Sequence, residues 1–207
     1  MYMTIGLFPL NVVMFPTTRL PLHIYEPRYR TLMADSIRTA SPFGIVSVEN
    51  DFMNTVGVAC RVRDVPQQFP DGRFDVIVEG IDRFSIRDVR DDMAPYLVAT
   101  IEPLEDSPTA IDDGLRREVA TMYNTIADLV FGTASAHYEP DEDDRLGSWV
   151  MAPKSGLEVA QKQQLLELRS ENLRLEFLLR HLKGILPTIR KAEFVQRVIR
   201  NDGYFST

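Results

Sequence analysis

Few side chains of this 207-residue chain have the type and spacing that catalysis requires. A nucleotide-binding loop needs closely spaced glycines followed by a lysine and a serine or threonine, and no GxxxxGK[ST] sequence occurs. Lys154 and Ser155 carry the groups of a serine–lysine pair, but they follow Pro153 in a segment that we interpret as a plain loop. The sequence therefore predicts no catalytic residue and no ATP hydrolysis by this chain.

The possible metal ligands are scattered as well. His23, His137 and His181 lie far apart, and neither HxxxH nor CxxC spacing occurs. The acidic run Asp141, Glu142, Asp143 and Asp144 could attract calcium, but the turn glycine and terminal glutamate of an EF-hand loop are missing, so we expect a solvated loop. Cys60 alternates with valines, which predicts a small buried hydrophobe, not a nucleophile. We expect no metal and no cofactor.

The composition is that of an ordinary globular protein, with 44% hydrophobic and 26% charged residues. The net charge of −7 and the absence of a basic run disfavour a nucleic-acid partner. One cysteine, no apolar run of membrane-span length and no secretion-signal pattern predict a cytoplasmic protein without a membrane partner.

Residues 7–30, LFPLNVVMFPTTRLPLHIYEPRYR, are expected to organise the first half of the chain. The prolines of this stretch prevent a continuous helix because they lack a backbone donor and restrict their neighbours. Leu20, Leu22 and Ile24 alternate with other residues, which predicts a half-buried strand. Pro27 suits the first turn of a helix. The stretch therefore predicts strand, loop, strand and helix in that order.

Strand signals continue to residue 105. Val56 and Val58 begin an alternating run, and Asp71-Gly72 predicts a tight turn before the next run. Gly80 interrupts that run, which predicts a bulge or bend of the kind that curls a sheet into a barrel. Together with one early helix, these strands predict a mainly antiparallel barrel over residues 1–106.

From residue 107 to residue 207 the apolar spacing becomes helical, which predicts a helical bundle. We expect a helix with Leu115, Val119 and Met122 on one face, and further helices around Trp149 and over residues 159–168. Ser170 is expected to cap a helix that ends at Gly184, and Pro187 to open a last helix. The last helix could dock on the bundle or bind a second copy of the chain. We expect docking, because its apolar residues form one narrow stripe: Phe194, Val195, Val198 and Ile199.

The opening stretch resembles the start of the N-terminal substrate-binding domain of the ATP-dependent Lon proteases, whose pattern is roughly LFPL…VV.FP…LPLHI.EPRYR. Similar segments follow in the same order: VGVA at 56–59, DGR at 71–73, VEGIDRF at 78–84, PYLVA at 95–99 and KQQLLE at 162–167. The resemblance spans about residues 5–184. The resemblance implies an α+β fold with an N-terminal PUA-like antiparallel pseudo-β-barrel, which we expect the C-terminal helical bundle to follow.

The resemblance also implies a function. In the family, this domain recognises substrates for a protease in the same chain. Here we expect a stand-alone, ATP-independent and non-enzymatic module of protein quality control that binds unfolded or exposed hydrophobic polypeptide segments. A protease or chaperone would then be a separate partner. The alternatives are a PUA-like small-molecule or RNA-binding protein, and a hydrolase whose acid, base and nucleophile assemble around His23 or Cys60.

Six residues are candidates for substrate binding: Phe15, Tyr25, Glu26, Arg28, Tyr29 and Phe69. Phe15 and Phe69 stand next to prolines in predicted loops, where each is either an exposed contact or a plug of the core. The other four combine aromatic surface with charge, as recognition sites do, although Glu26 and Arg28 could equally form an ion pair at the start of the helix. We expect an apolar groove between barrel and bundle to hold the ligand.

Overall fold

The computed structural model describes residues 2–132, 137–140 and 147–201. The acidic residues 141–144 and Leu146 lie outside the described residues, as does the tail from residue 202. The chain forms two compact units. The first comprises Met1–Ser107 and Glu158–Arg169, and the second comprises Pro108–Leu157 and Ser170–Thr207.

Six strands form the sheet of the first unit: β1 (Met3–Leu10), β2 (Arg19–Ile24), β3 (Phe43–Glu49), β4 (Phe52–Gln68), β5 (Phe74–Arg90) and β6 (Val98–Pro103). The strand order is β2-β5-β4-β3-β1-β6, and β5 also pairs with β6. Five strands therefore close into a barrel, while β2 pairs with no described strand except β5. Every pair is antiparallel except β1 with β3. The predicted α+β fold with a mainly antiparallel barrel is confirmed.

The predicted irregularity at Gly80 is a β-bulge between β4 and β5. Ala59 pairs with Asp82, but the next residue, Cys60, pairs with Gly80, so Ile81 is an extra residue on β5. Such a bulge bends the strand and increases its twist. The bend lets the first half of β5 pair with β2 and the second half with β6.

The barrel interior is apolar, and helix α1 (Pro27–Thr39) contributes to the buried core of the same unit. The interior cluster consists of Ile5, Leu7, Val46, Phe84, Ala99 and Ile101. Helix α1 begins at Pro27, as the sequence predicts, and it ends at Thr39, followed by the cap residue Ala40, whose backbone is left-handed. The helix buries Tyr29, Leu32 and Met33, which recur at the helical spacing of one face.

Helix α4 (Val159–Glu167) belongs to the first unit although it is distant in sequence from the barrel. The buried Gln163 side chain donates to the carbonyl of Val56 at 3.2 Å and accepts from the Ser47 hydroxyl at 2.7 Å. The buried Arg83 guanidinium donates to the carbonyls of Leu166 and Leu168 at 2.6 and 2.7 Å. These bonds satisfy polar groups that would otherwise be costly to bury.

Within the described residues, the second unit contains α2 (Asp113–Phe131), α3 (Gly147–Met151) with a 3-10 turn (Ala152–Lys154), and α5 (Glu171–Asn201). The Asp112 carboxylate caps α2 by accepting from the N–H groups of Gly114 and Leu115. Helix α2 buries Val119 and Ile126, as the predicted helical face requires. In the described ranges, no helix combines the length and the apolar character that a membrane crossing needs.

The predicted break between Gly184 and Pro187 is wrong, because α5 runs without interruption from Glu171 to Asn201 and contains Pro187. Gly184 is not among the glycines with a positive φ, so it does not form a left-handed helix end. Pro187 removes one helical hydrogen bond and its ring crowds the carbonyl four residues before it, at a combined cost of about 3 kcal/mol. The cooperative hydrogen bonding of the long helix on both sides offsets that cost.

The predicted docking of the last apolar stripe is also wrong. Phe194, Val195 and Val198 are exposed by 62%, 46% and 40%, and the side chain of Ile199 lies outside the described part of the structure. Phe194 follows the buried Leu178 by about four and a half helical turns, and it therefore points to the opposite side of α5. The stripe is real, but it faces away from the side of α5 that is packed.

Candidate functional site

The first unit contains a cavity of about 630 Å³, which we call the β1–β2 groove. It is lined by the end of β1, by the end of β2 and the start of α1, by the β3–β4 turn and by Leu97. The lining comprises residues 8–11, 22–26, 28, 29, 48, 50, 51 and 97. Its volume lies in the range of ordinary ligand pockets.

Four of the six predicted binding residues line the groove: Tyr25, Glu26, Arg28 and Tyr29. The Tyr25 side chain is 61% exposed and available to a ligand. Arg28 donates to the Glu26 carboxylate at 2.9 Å and 2.8 Å, so the two form the ion pair that the sequence allowed. The Arg28 guanidinium lies 4.6 Å from the centroid of the Tyr29 ring, within cation–π range.

Tyr29 is a wall of the groove and not a free contact. It is buried, and its ring centroid lies 4.2 Å from that of Phe8. Burial raises the pKa of the Tyr29 hydroxyl, and the nearby positive charge of Arg28 opposes that rise. Tyr29 and Phe8 together therefore present a rigid apolar and aromatic surface to the groove.

His23 lines the groove, and its ring also packs near Phe69, a predicted binding residue that does not line the groove. The His23 ring lies 6.2 Å from the Tyr25 ring and 5.7 Å from the Phe69 ring, measured between centroids. Its Nδ1 lies 2.6 Å from a carboxylate oxygen of Asp75. A lone histidine in a strand carries no ligand signal, so the sequence alone does not place His23 in a binding groove. His23 lies near Phe69 and Asp75 because β2, the loop that contains Phe69 and β5 are adjacent in the fold.

The structure buries Phe15, which is only 2% exposed. Of the two interpretations that the sequence allowed, the core plug describes its position. The loop around it is held by the Thr18 hydroxyl, which donates to the Phe15 carbonyl at 2.7 Å, and by a bond from the Thr17 N–H to the Gly80 carbonyl at 2.9 Å. Phe15 therefore supports the loop before β2 and does not contact the groove.

The β3–β4 turn contributes two groove residues that are not among the predicted binding residues. Asn50 and Asp51 both have left-handed backbone, with φ of 49° and 66°. Consecutive positive φ values are typical of the tight type I′ hairpin turn, in which asparagine and aspartate are favoured. In the sequence, this turn is indicated by the polar pair Asn50-Asp51 between two apolar runs. The turn places both residues in the groove lining. The next residue in the sequence, Phe52, is 79% exposed.

Two other side chains with reactive groups, Cys60 and Ser155, are buried. Cys60 is fully buried, and burial raises the pKa of its thiol far above the ordinary value. The buried Ser155 hydroxyl donates to the carbonyl of Ala152 at 2.9 Å. Among the described residues, no group of histidine, cysteine or acidic side chains could hold a metal ion. The groove, with its apolar walls and exposed Tyr25, is suited to contacts with apolar and aromatic side chains.

Comparison with known proteins places this fold in a family. The family model for the ATP-dependent protease La (LON) substrate-binding domain matches residues 4–184. The Lon protease of Parabacteroides distasonis is 30% identical over 148 residues, which are 68% of this chain and 18% of that relative. The Lon protease of Amoebophilus asiaticus is 23% identical over 92% of this chain and 24% of its own length. The chain thus spans less than a quarter of these relatives.

Two solved structures are similar in fold. The Lon N-terminal domain protein from Xanthomonas campestris has a TM-score of 0.66 at 24% identity, covering 86% of this chain and 98% of that one. The N-terminal domain of the Mycobacterium avium complex Lon protease has a TM-score of 0.62 at 17% identity, covering 87% and 98%.

Proposed function

Because the chain belongs to the family of the ATP-dependent protease La (LON) substrate-binding domain, we propose that it is a non-enzymatic module that binds unfolded or exposed hydrophobic polypeptide segments. The family match covers the substrate-binding domain of Lon and not its catalytic region. The proposal therefore concerns recognition, and it leaves cleavage and unfolding to other components.

The observation that carries the proposal is the groove itself. Four side chains that the sequence nominated for binding line one cavity of about 630 Å³ in the first unit. Phe8 and Tyr29 supply a preformed apolar wall, so a ligand side chain gains burial of about 25 cal/mol per Å² without ordering that wall first. Tyr25 is exposed beside them, as interface hot-spot residues commonly are before binding.

The charged residues of the groove contribute to selection more than to affinity. The side chains of Glu26 and Arg28 are 35% and 52% exposed, and ion pairs at such positions contribute little net free energy. In this proposal the binding step needs no ATP and takes place in the cytoplasm. A protease or a chaperone acts on the polypeptide afterwards.

The test compares two forms of one small disulfide-bonded protein, the native form and a reduced, carboxymethylated form that cannot fold. Each is labelled with fluorescein and titrated with this protein while anisotropy is measured. We expect the unfolded form to bind with a Kd on the order of micromolar and the native form not to bind. Equal binding of both forms, or none, would overturn the proposal. Mass spectrometry of the probe after incubation should show an unchanged covalent structure, and cleavage would refute the non-enzymatic assignment.

A further inference from the structure

Among the described strands, β2 has a hydrogen-bonded neighbour on one edge only. It is the terminal strand of the sheet, and the additional pairing of β5 with β6 closes the barrel without it. Its residues pair with β5 in an unbroken register, from Arg19 opposite Glu79 to Ile24 opposite Phe74. In the part of the chain that the structure describes, no strand lies along the other edge of β2.

The hydrogen bonds of Gly80 show which backbone groups of β2 lie on that free edge. Gly80 donates to the Thr18 carbonyl at 3.0 Å and accepts from the Thr17 N–H at 2.9 Å, so its backbone groups point towards the β2 side. Successive residues of a strand direct these groups to opposite edges. The alternate residues of β5 therefore bond to their β2 partners, which are Leu20, Leu22 and Ile24. The N–H and C=O of His23 consequently point to the free edge.

Pro21 agrees with this assignment. A proline is tolerated in a strand where its missing N–H would face away from the sheet, on the edge that no strand covers. Pro21 has the same parity as His23, and it therefore lies at such a position. It also limits unspecific pairing along the edge, as prolines on edge strands do. His23 remains the residue of β2 that offers a donor and an acceptor beside the groove.

The free edge of β2 borders the β1–β2 groove. Consecutive residues of β2, from Leu22 to Ile24, line the cavity, although their side chains alternate between the two faces of the sheet. This is expected when a cavity runs along a strand edge. The last residues of β1, from Phe8 to Leu10, line the same cavity. They lie beyond the pairing of β1 with β6, which ends at Gly6, and pair only with β3.

The groove also has an uncompensated negative charge. Asp51 lines it, and no salt bridge to Asp51 occurs among the described residues, whereas the Glu26 carboxylate is paired with Arg28. Complementary charge favours encounter with a segment that carries a lysine or an arginine. The occupant that fits is therefore an extended segment with free backbone groups, alternating apolar side chains and a basic residue.

We infer that the bound polypeptide adds as a strand to the free edge of β2, hydrogen-bonding to the backbone of His23 and placing alternate side chains in the β1–β2 groove. This inference rests on the proposed function, because it specifies how the proposed ligand is held. Main-chain bonding tolerates many sequences, which is what a receptor for unfolded segments requires. The groove then selects for apolar and basic side chains.

The test is an N-methyl scan. Short peptides tiling the sequence of the unfolded probe protein are first screened by anisotropy, and the tightest binder is then resynthesised with one backbone nitrogen methylated at a time. We expect affinity to fall about tenfold at every second position and to change little at the positions between, because alternate N–H groups face β2. A scan without this alternation would overturn strand addition.

Two substitutions at His23 distinguish the contribution of its backbone to peptide binding from that of its side chain. His23→Ala keeps the backbone donor, whereas His23→Pro removes a donor that does not pair with β5. We expect His23→Pro to bind about tenfold more weakly than His23→Ala, and Pro21→Ala, which adds a donor to the edge, to bind at least as well as the unmodified protein. Equal affinities of the two His23 variants would contradict the inference. Circular dichroism verifies that each variant is folded, and the peptide scan does not depend on any variant.

The two proposals fail in different ways. If no tiled peptide and no unfolded protein binds, the proposed function fails and strand addition fails with it. If peptides bind but the scan shows no alternation, the proposed function stands and strand addition alone is refuted.

Discussion

Tyr25 and Tyr29 lie four residues apart and line the same groove, but their surroundings differ. Tyr25 is 61% exposed, whereas Tyr29 is 8% exposed and packs on Phe8. The difference arises because Tyr25 follows the edge strand β2, while Tyr29 lies on the buried face of α1. An exposed aromatic ring loses water-accessible area only when a ligand covers it, so Tyr25 is the residue whose truncation should affect binding without affecting the fold.

We predict that Tyr25→Ala weakens binding of the unfolded probe by about fivefold to thirtyfold, since truncation of an interface tyrosine costs on the order of 1–2 kcal/mol. The matched control is Tyr2→Ala, because Tyr2 is 68% exposed and lies outside the groove. Anisotropy titrations of both variants measure the effect. If the two substitutions weaken binding equally, Tyr25 has no special part in recognition.

At the scale of elements, the fold requires glycine at position 80 but not at position 184. A Cβ on Gly80 would stand 2.3 Å from the carbonyl oxygen of Phe15, because the loop before β2 approaches the bulged strand closely. A Cβ on Gly184 would meet nothing within 4 Å. Glycine is therefore required at the bulge, and in the exposed part of α5 it only adds conformational freedom to the unfolded chain.

Paired glycine-to-alanine substitutions test this contrast. We predict that Gly80→Ala lowers the free energy of unfolding by about 1–3 kcal/mol, because the loop backbone must move to accommodate the methyl group. Gly184→Ala should raise it by about 0.5–1 kcal/mol, the helix preference of alanine over glycine. Urea denaturation followed by circular dichroism gives both values. A neutral Gly80→Ala would show that the loop is not packed against β5 in solution.

At the scale of the whole molecule, the first unit is assembled from two segments that are distant in sequence. Arg83 on β5 is the main polar connection, with bonds to the carbonyls of Leu166 and Leu168 and an ion pair with Asp106. Its side chain is 5% exposed, so replacing it would remove a buried donor from both carbonyls. Arg87, on the same strand, forms an exposed pair with Glu102 and offers a comparison.

We predict that Arg83→Ala costs about 2–3 kcal/mol of unfolding free energy, because it removes a buried charged donor from the carbonyls of Leu166 and Leu168. Arg87→Ala should cost about 1 kcal/mol or less, because exposed ion pairs contribute little. Chemical denaturation of both variants provides the measurement. Similar losses for the two arginines would mean that α4 is not held to the barrel by Arg83.

Local sequence signals determined much of the fold. The alternation of β4 and β5, the start of α1 at Pro27 and the bulge at Gly80 follow from constraints on neighbouring backbone angles, so they can be inferred from a few adjacent residues. Residues 7–30 carry the start of the family resemblance and also contain four of the predicted binding residues, Tyr25, Glu26, Arg28 and Tyr29. These residues are close in sequence, and the turn into α1 keeps them close in space.

Only the tertiary structure decided which distant segments meet. The closure of β5 on β6, the free edge of β2, the burial of Phe15 and the packing of α4 on the barrel all depend on pairings between segments separated by many residues. Local signals do not encode those pairings, because loop closure and burial are energies of the whole chain. For the same reason, the glycine and proline that locally favour a break at 184–187 could not stop α5, whose cooperative hydrogen bonding extends over 31 residues.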